Sequence, residues 1–116
     1  MKRIIWISRH EPLPAQLREL ERIFGAGVKV DQDPRPFSSA EDIASRARGY
    51  DEVLVVAPLS VIARLIELGI KPLWAEMERI DAPTGDPDAE VEASGRWYRF
   101  RRFRRITRIT IEYEDM

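Results

Sequence analysis

The chain contains no cysteine and only one histidine, His10. The first absence excludes disulfides, thiolate metal sites and cysteine nucleophiles. The second excludes a multi-histidine metal cluster within one subunit. Phosphate-cradling signatures are missing as well: no GxGxxG follows the first apolar run and no GxxxxGK[ST] occurs, which removes the main support for dinucleotide and P-loop readings. Ser60 lacks the glycine frame of a nucleophile elbow, so acyl transfer is not indicated. No apolar stretch is long enough to cross a bilayer, and Ile4 to Ser8 is too short for the core of a signal peptide. The expectation is a cytoplasmic domain with no membrane contact, no metal and no cofactor.

Neither sign of charge dominates. Nineteen bases stand against twenty acids, a net charge of −1, so the whole molecule does not attract polyanions. Lysine is scarce, at three of the nineteen bases. The charges are segregated, however. Between Asp81 and Gly95 lie five acids and no base; between Arg96 and Arg108 lie seven arginines and no acid.

What is present is a hydrophobic share of 44% in 116 residues, enough for the core of one domain. Arg3 to Ser8 is a continuous apolar run, the signature of a strand covered on both faces. Pro12 and Pro14 suit a helix start. Leu17, Leu20, Ile23 and Phe24 then recur at helical spacing over about residues 13–24, until Gly25. Val28-Lys29-Val30 is a weak, edge-like strand. Ser38 and Glu41 read as a capping box opening a second helix to about Arg48, with Ile43, Ala44 and Ala47 inward. Glu52 to Ala57 is the strongest strand, and Leu59 to Leu68 a third helix with Ile62, Leu65 and Ile66 buried. Lys71 to Ile80 is a fourth strand. Residues 1–80 thus form a βαβαβαβ scaffold. The expected fold is a three-layer, Rossmann-like (doubly wound), mostly parallel α/β sheet of order 2-1-3-4 with right-handed crossovers. Residues 81–116 add an acidic loop, a hairpin turning at Ser94-Gly95, and a last strand over about Arg105 to Glu112, antiparallel to strand four. The Asp81 to Asp88 loop, with few apolar anchors, is the least tied-down segment.

In such a sheet, ligands sit beyond the carboxyl ends of the strands where strand order reverses, between strands one and three. That places Ser8, Arg9 and His10 beside Ser60 as candidate ligand-binding residues for an anionic or nucleotide-like molecule. His10 is the candidate general acid or base, because its charge changes near neutral pH. Asp31 and Asp33 with Glu11 could gather a cation, but a solvated loop explains them more simply. The segment from Arg96 to Arg105 interleaves arginine with aromatic rings, and Trp97, Arg99, Arg101, Arg102 and Phe103 are its interface or nucleic-acid candidates. On a regular strand Trp97, Arg99, Arg101, Phe103 and Arg105 share one face, with Tyr98, Phe100, Arg102 and Arg104 on the other. Pairing with Glu76, Glu78, Glu90 and Glu92 is the leading role for these arginines, a dimer through this ribbon comes next, and nucleic acid last. The functional expectation is a small binding or regulatory module. The alternatives are a phosphodiester hydrolase using His10 and a purely structural oligomerising protein.

Overall fold

The computed structural model describes all residues, 1–116, as a mixed α/β fold of three helices and one six-stranded curled sheet. The elements are β1 (Arg3–Ile7), α1 (Pro14–Phe24), β2 (Lys29–Asp33), α2 (Ala40–Arg46), β3 (Glu52–Val55), α3 (Leu59–Glu67), β4 (Leu73–Ile80), β5 (Glu90–Ala93) and β6 (Arg96–Arg105). The sheet order is β2-β1-β3-β4-β6-β5, parallel through the first four strands and antiparallel where β6 meets β4 and β5. No helix is long and apolar enough to cross a membrane.

The unbroken apolar runs at β1 and β3 follow from cover on both faces. Ile4, Trp6, Leu54 and Leu73 point to the α1 side, where they enclose Leu20. Ile5, Ile7, Val53 and Val55 point to the other side, against Ile43 of α2 and Ile62 and Leu65 of α3. Burying each such side chain is worth about 1.5–3 kcal/mol. On α1 the buried stripe is narrower than its spacing suggested. Gln16 and Leu20 are buried and Phe24 is half-buried, while Leu17 and Ile23 are exposed. The capping serine of α2 is Ser39, whose Oγ accepts from the Asp42 amide at 3.1 Å. Asp42 in turn accepts from the Ser38 amide at 3.0 Å, one residue outside the cap, so Ser39 caps the helix alone and the Ser38–Glu41 box read from the sequence does not form. This frees Glu41 to pair with Arg64 on α3 at 2.8 Å.

Two departures from a regular sheet position the site. β3 and β4 pair at one position only, Leu54 with Leu73. Beyond it β4 diverges and continues with β6 instead. The second departure is a β-bulge. Along β4 the partner of Glu76 is Arg102 and that of Met77 is Phe100, leaving Arg101 unopposed. The extra residue reverses the alternation, which corrects the two-face reading of the ribbon. Tyr98, Phe100 and Phe103 share the α1 side, with Phe100 and Phe103 4.9 Å apart between ring centroids and Phe103 edge-on to Trp6 at 6.2 Å. Trp97, Arg99, Arg102 and Arg104 share the other.

The hairpin forms as expected: Ser94 (φ 52°) and Gly95 (φ 75°) both take the left-handed conformation of a tight two-residue turn. Glu92 faces Trp97, Val91 faces Tyr98 and Glu90 faces Arg99. The final strand is the larger correction. The place beside β4 is filled by β6 itself, and residues 106–116 pair with nothing as a strand. Ile106 and Ile109 nevertheless pack on the α2–α3 side of the core.

Candidate functional site

The loop after β1 forms the crest of the carboxyl edge of the parallel strands. Three hydrogen bonds hold it. Trp6 Nε1 donates to the His10 carbonyl at 2.9 Å, the His10 amide donates to Ser8 Oγ at 3.1 Å, and Gln32 Nε2 on β2 donates to the Ser8 carbonyl at 3.0 Å. A cavity opens on each side of this crest.

On the α1 side lies an apolar cavity of about 280 Å³. It occupies the gap where β4 leaves β3, so Trp6, Leu54, Ala75 and Met77 form its inner wall. Val91, Ala93 and Tyr98 of the C-terminal hairpin form its outer wall. The hairpin is held over α1 by the Ala15 amide donating to the Asp88 carbonyl at 3.0 Å. The acidic loop before it is anchored by the buried Glu90, which accepts from the Thr84 amide (3.0 Å) and hydroxyl (2.6 Å) and from Arg99 (3.3 Å). Those bonds, the Thr84 hydroxyl first, hold the Glu90 carboxyl below the usual carboxylate range. Polar groups at this cavity are few: Ser8, His10 and Glu11 at the mouth, and Gln16 within. Gln16 is buried; its Oε1 caps the first turn of α1 through the Leu13 amide at 2.8 Å. Its Nε2 reaches only the Met77 thioether at 3.7 Å, a weak acceptor. An oxygen on a bound molecule would serve that donor better.

The second cavity, about 460 Å³, lies on the α2 side. Arg9, His10 and Arg35 give it a basic rim, with Phe37, Pro34 and Pro36 as an apolar wall. Arg35 is committed to Asp33 through a two-pronged pair at 2.9 and 2.7 Å. That contact, with Arg46 behind it, holds the Asp33 carboxyl at about 2. Arg9 makes no ion pair and is the uncommitted cation of this cavity. Ser8, His10 and Val56 line both cavities.

Of the residues singled out by sequence, Ser8, Arg9 and His10 therefore meet at the crest. Ser60 does not join them: it is exposed on the first turn of α3 and lines neither cavity. Both hydrogen bonds at His10 run through its backbone, so no neighbouring side chain fixes the orientation of its imidazole. Asp31 accepts from the Tyr50 hydroxyl at 2.7 Å, Asp33 is held by Arg35 and Arg46, and neither gathers with Glu11 into a metal-binding group. In the ribbon Arg99 pairs with Glu90 and Asp86, Arg101 with Glu78, Arg102 and Arg104 with Glu76, and Arg105 with Glu52. Guanidinium groups so engaged have little left for phosphate, which weakens the nucleic-acid reading. Sequence reasoning missed the apolar cavity and its hairpin wall, because it forms between segments far apart in the chain. Comparison with protein-family models, curated proteins and solved structures found no match to the chain.

Proposed function

We propose that this protein is a binding module for a small amphipathic organic anion. The apolar body of the ligand fills the cavity beneath the hairpin, and its carboxylate or phosphate crosses Ser8 to reach Arg9. The observation that carries this reading is the sharing of Ser8, His10 and Val56 by an apolar and a basic cavity. A largely apolar pocket with a few convergent polar groups is the usual form of a small-molecule site. Val56 is 70% exposed on the crest between the two cavities, an apolar surface that a ligand spanning them would cover. The scaffold supports the location by analogy. With α1 on one side and α2 and α3 on the other, its first four strands resemble a doubly wound, Rossmann-like sheet. Such sheets bind ligands at the carboxyl ends where strand order reverses, here between β1 and β3.

Trp6 lines the apolar cavity, so its fluorescence reports occupancy once Trp74 and Trp97 are replaced by phenylalanine. A panel of alkyl and aryl carboxylates and phosphates, each with its uncharged amide or alcohol, is titrated against this variant. Saturable quenching is expected for the charged members. Arg9→Ala should weaken them about 5- to 30-fold, the loss of one charge-assisted contact of about 1–2 kcal/mol, and leave the neutral members unchanged. Ala93→Phe, which crowds the cavity, should weaken both. No saturable response across the panel would overturn the reading.

A further inference from the structure

From Thr107 to Met116 no backbone amide or carbonyl is hydrogen-bonded within the chain; the last such bond is from the Ile106 amide to the Pro72 carbonyl at 3.0 Å. No ion pair involves a residue beyond Arg105. Yet the segment is written as a strand. Ile109, Ile111 and Tyr113 alternate with Arg108, Thr110, Glu112 and Glu114, the period of two that puts apolar groups on one face. Ile109 packs on the core of its own chain. Ile111 and Tyr113, next on the same face, are 80% and 87% exposed. A β-patterned stretch with a full row of free amides and carbonyls is a template for pairing with another strand.

We propose that residues 107–115 pair antiparallel with the same segment of a second copy, about a two-fold axis at Ile111. The segment is complementary to itself in that register and needs no other partner. Ile111 meets its own copy, Ile109 faces the partner's Tyr113, and Arg108 faces the partner's Glu114. All apolar residues fall on one face, and each unlike charge pair is made twice, as an isologous contact demands. A bare two-stranded ribbon is marginal in water. Here Ile109 fastens each strand to its own core, and the partner's Tyr113 lands beside that anchored residue. The dimer contact is thus the C-terminal segment rather than the arginine-aromatic ribbon, where Arg99, Arg101, Arg102, Arg104 and Arg105 are engaged within the chain.

The test is sedimentation equilibrium on the full-length chain, with far-UV circular dichroism and thermal melting to verify folding. Wild type should dimerise. Ile111→Pro, at an exposed position outside the core, should leave a folded monomer. Arg108→Glu and Glu114→Arg should each weaken dimerisation at least tenfold. The double variant should restore it, and an equimolar mixture of the two single variants should form a heterodimer tighter than either homodimer. A wild-type chain that stays monomeric at several hundred micromolar would overturn the proposal. So would a dimer indifferent to Ile111→Pro, or one whose loss on single charge reversal is not recovered by the double variant, the result if the segment instead adds to the open β2 or β5 edge.

Discussion

Asp33 closes β2 with its carboxylate between Arg35 and Arg46, and its depressed pKa of about 2 makes it a source of pH-dependent stability. A carboxyl whose folded pKa lies below its unfolded value stabilises the fold above the unfolded pKa and loses that contribution as pH falls toward the folded one. Asp33→Asn should therefore cost about 1–2 kcal/mol at neutral pH, a figure reduced for the solvent around the exposed Arg35. In urea denaturation at stepped pH, the gap between wild type and variant should close between about pH 4 and pH 2. A gap that persists at pH 2 would show that packing, not charge, is responsible. Arg105 offers the complementary case. Its two nitrogens hold the oxygens of the buried Glu52 at 2.7 and 2.9 Å. Arg105→Ala leaves that carboxylate without its cation and should cost about 1–3 kcal/mol, less than in a fully buried pair because the Arg105 side chain is 39% exposed, whereas Glu52→Met with Arg105→Met should cost distinctly less. Chemical denaturation of the three proteins distinguishes a pair needed for its attraction from one needed only because half of it cannot stand alone. At this scale the sequence was partly readable. It indicated that the ribbon arginines would find Glu76, Glu78 and Glu90, but Glu52 lies fifty-three residues from Arg105, and Glu92 forms no ion pair at all.

The bulge at Arg101 shows why single elements are read more safely than their faces. Helices α1 to α3, strands β1, β3 and β4 and the hairpin turn announce themselves by local signals: apolar period, proline at a start, glycine at an end; β2 instead runs on through Asp31, Gln32 and Asp33, polar residues that read as a solvated loop. A bulge carries no such mark in this sequence, and one extra residue exchanges the faces of everything beyond it. The consequence is testable. Arg101→Ala removes only a partly exposed pair with Glu78 and should change stability by less than about 1 kcal/mol. Deleting Arg101 takes out the extra residue and leaves Phe100 opposite Met77 and Arg102 opposite Glu76, so Phe103 should keep its place against Trp6 and Phe100. The urea midpoint and near-UV dichroism should stay close to those of wild type; a large loss of both would show that the bulge itself, not the facing it sets, holds the ribbon. The last strand failed for a related reason. Its pattern was read correctly, but two segments fit the place beside β4, and β6 takes it with β5 already paired to its outer edge through the tight turn, Ile80 lying opposite Trp97. The pattern at Ile109 to Tyr113 remains, without a partner inside the chain.

For the whole molecule, the four parallel strands and the C-terminal third build the apolar cavity between them. The first eighty residues supply the crest at Ser8 to His10, and the hairpin supplies the wall that turns an open edge into a cavity. Strand order pointed to the carboxyl edge, because topology fixes where loops of opposite sense diverge, and two cavities open there. The cavity was not, because it depends on β4 parting from β3 after a single pair and on the hairpin curling over α1. The reading that one ligand spans both sides of the crest is tested most directly by amide chemical-shift mapping on isotopically labelled protein. The titrant is an alkyl carboxylate that quenches Trp6. Resonances of Leu54, Met77 and Tyr98 on the apolar side and of Arg9 and Phe37 on the basic side should shift together and fit one Kd, while the uncharged amide moves the apolar set alone. Shifts confined to one side for the carboxylate, or two sets saturating at different concentrations, would contradict a shared site.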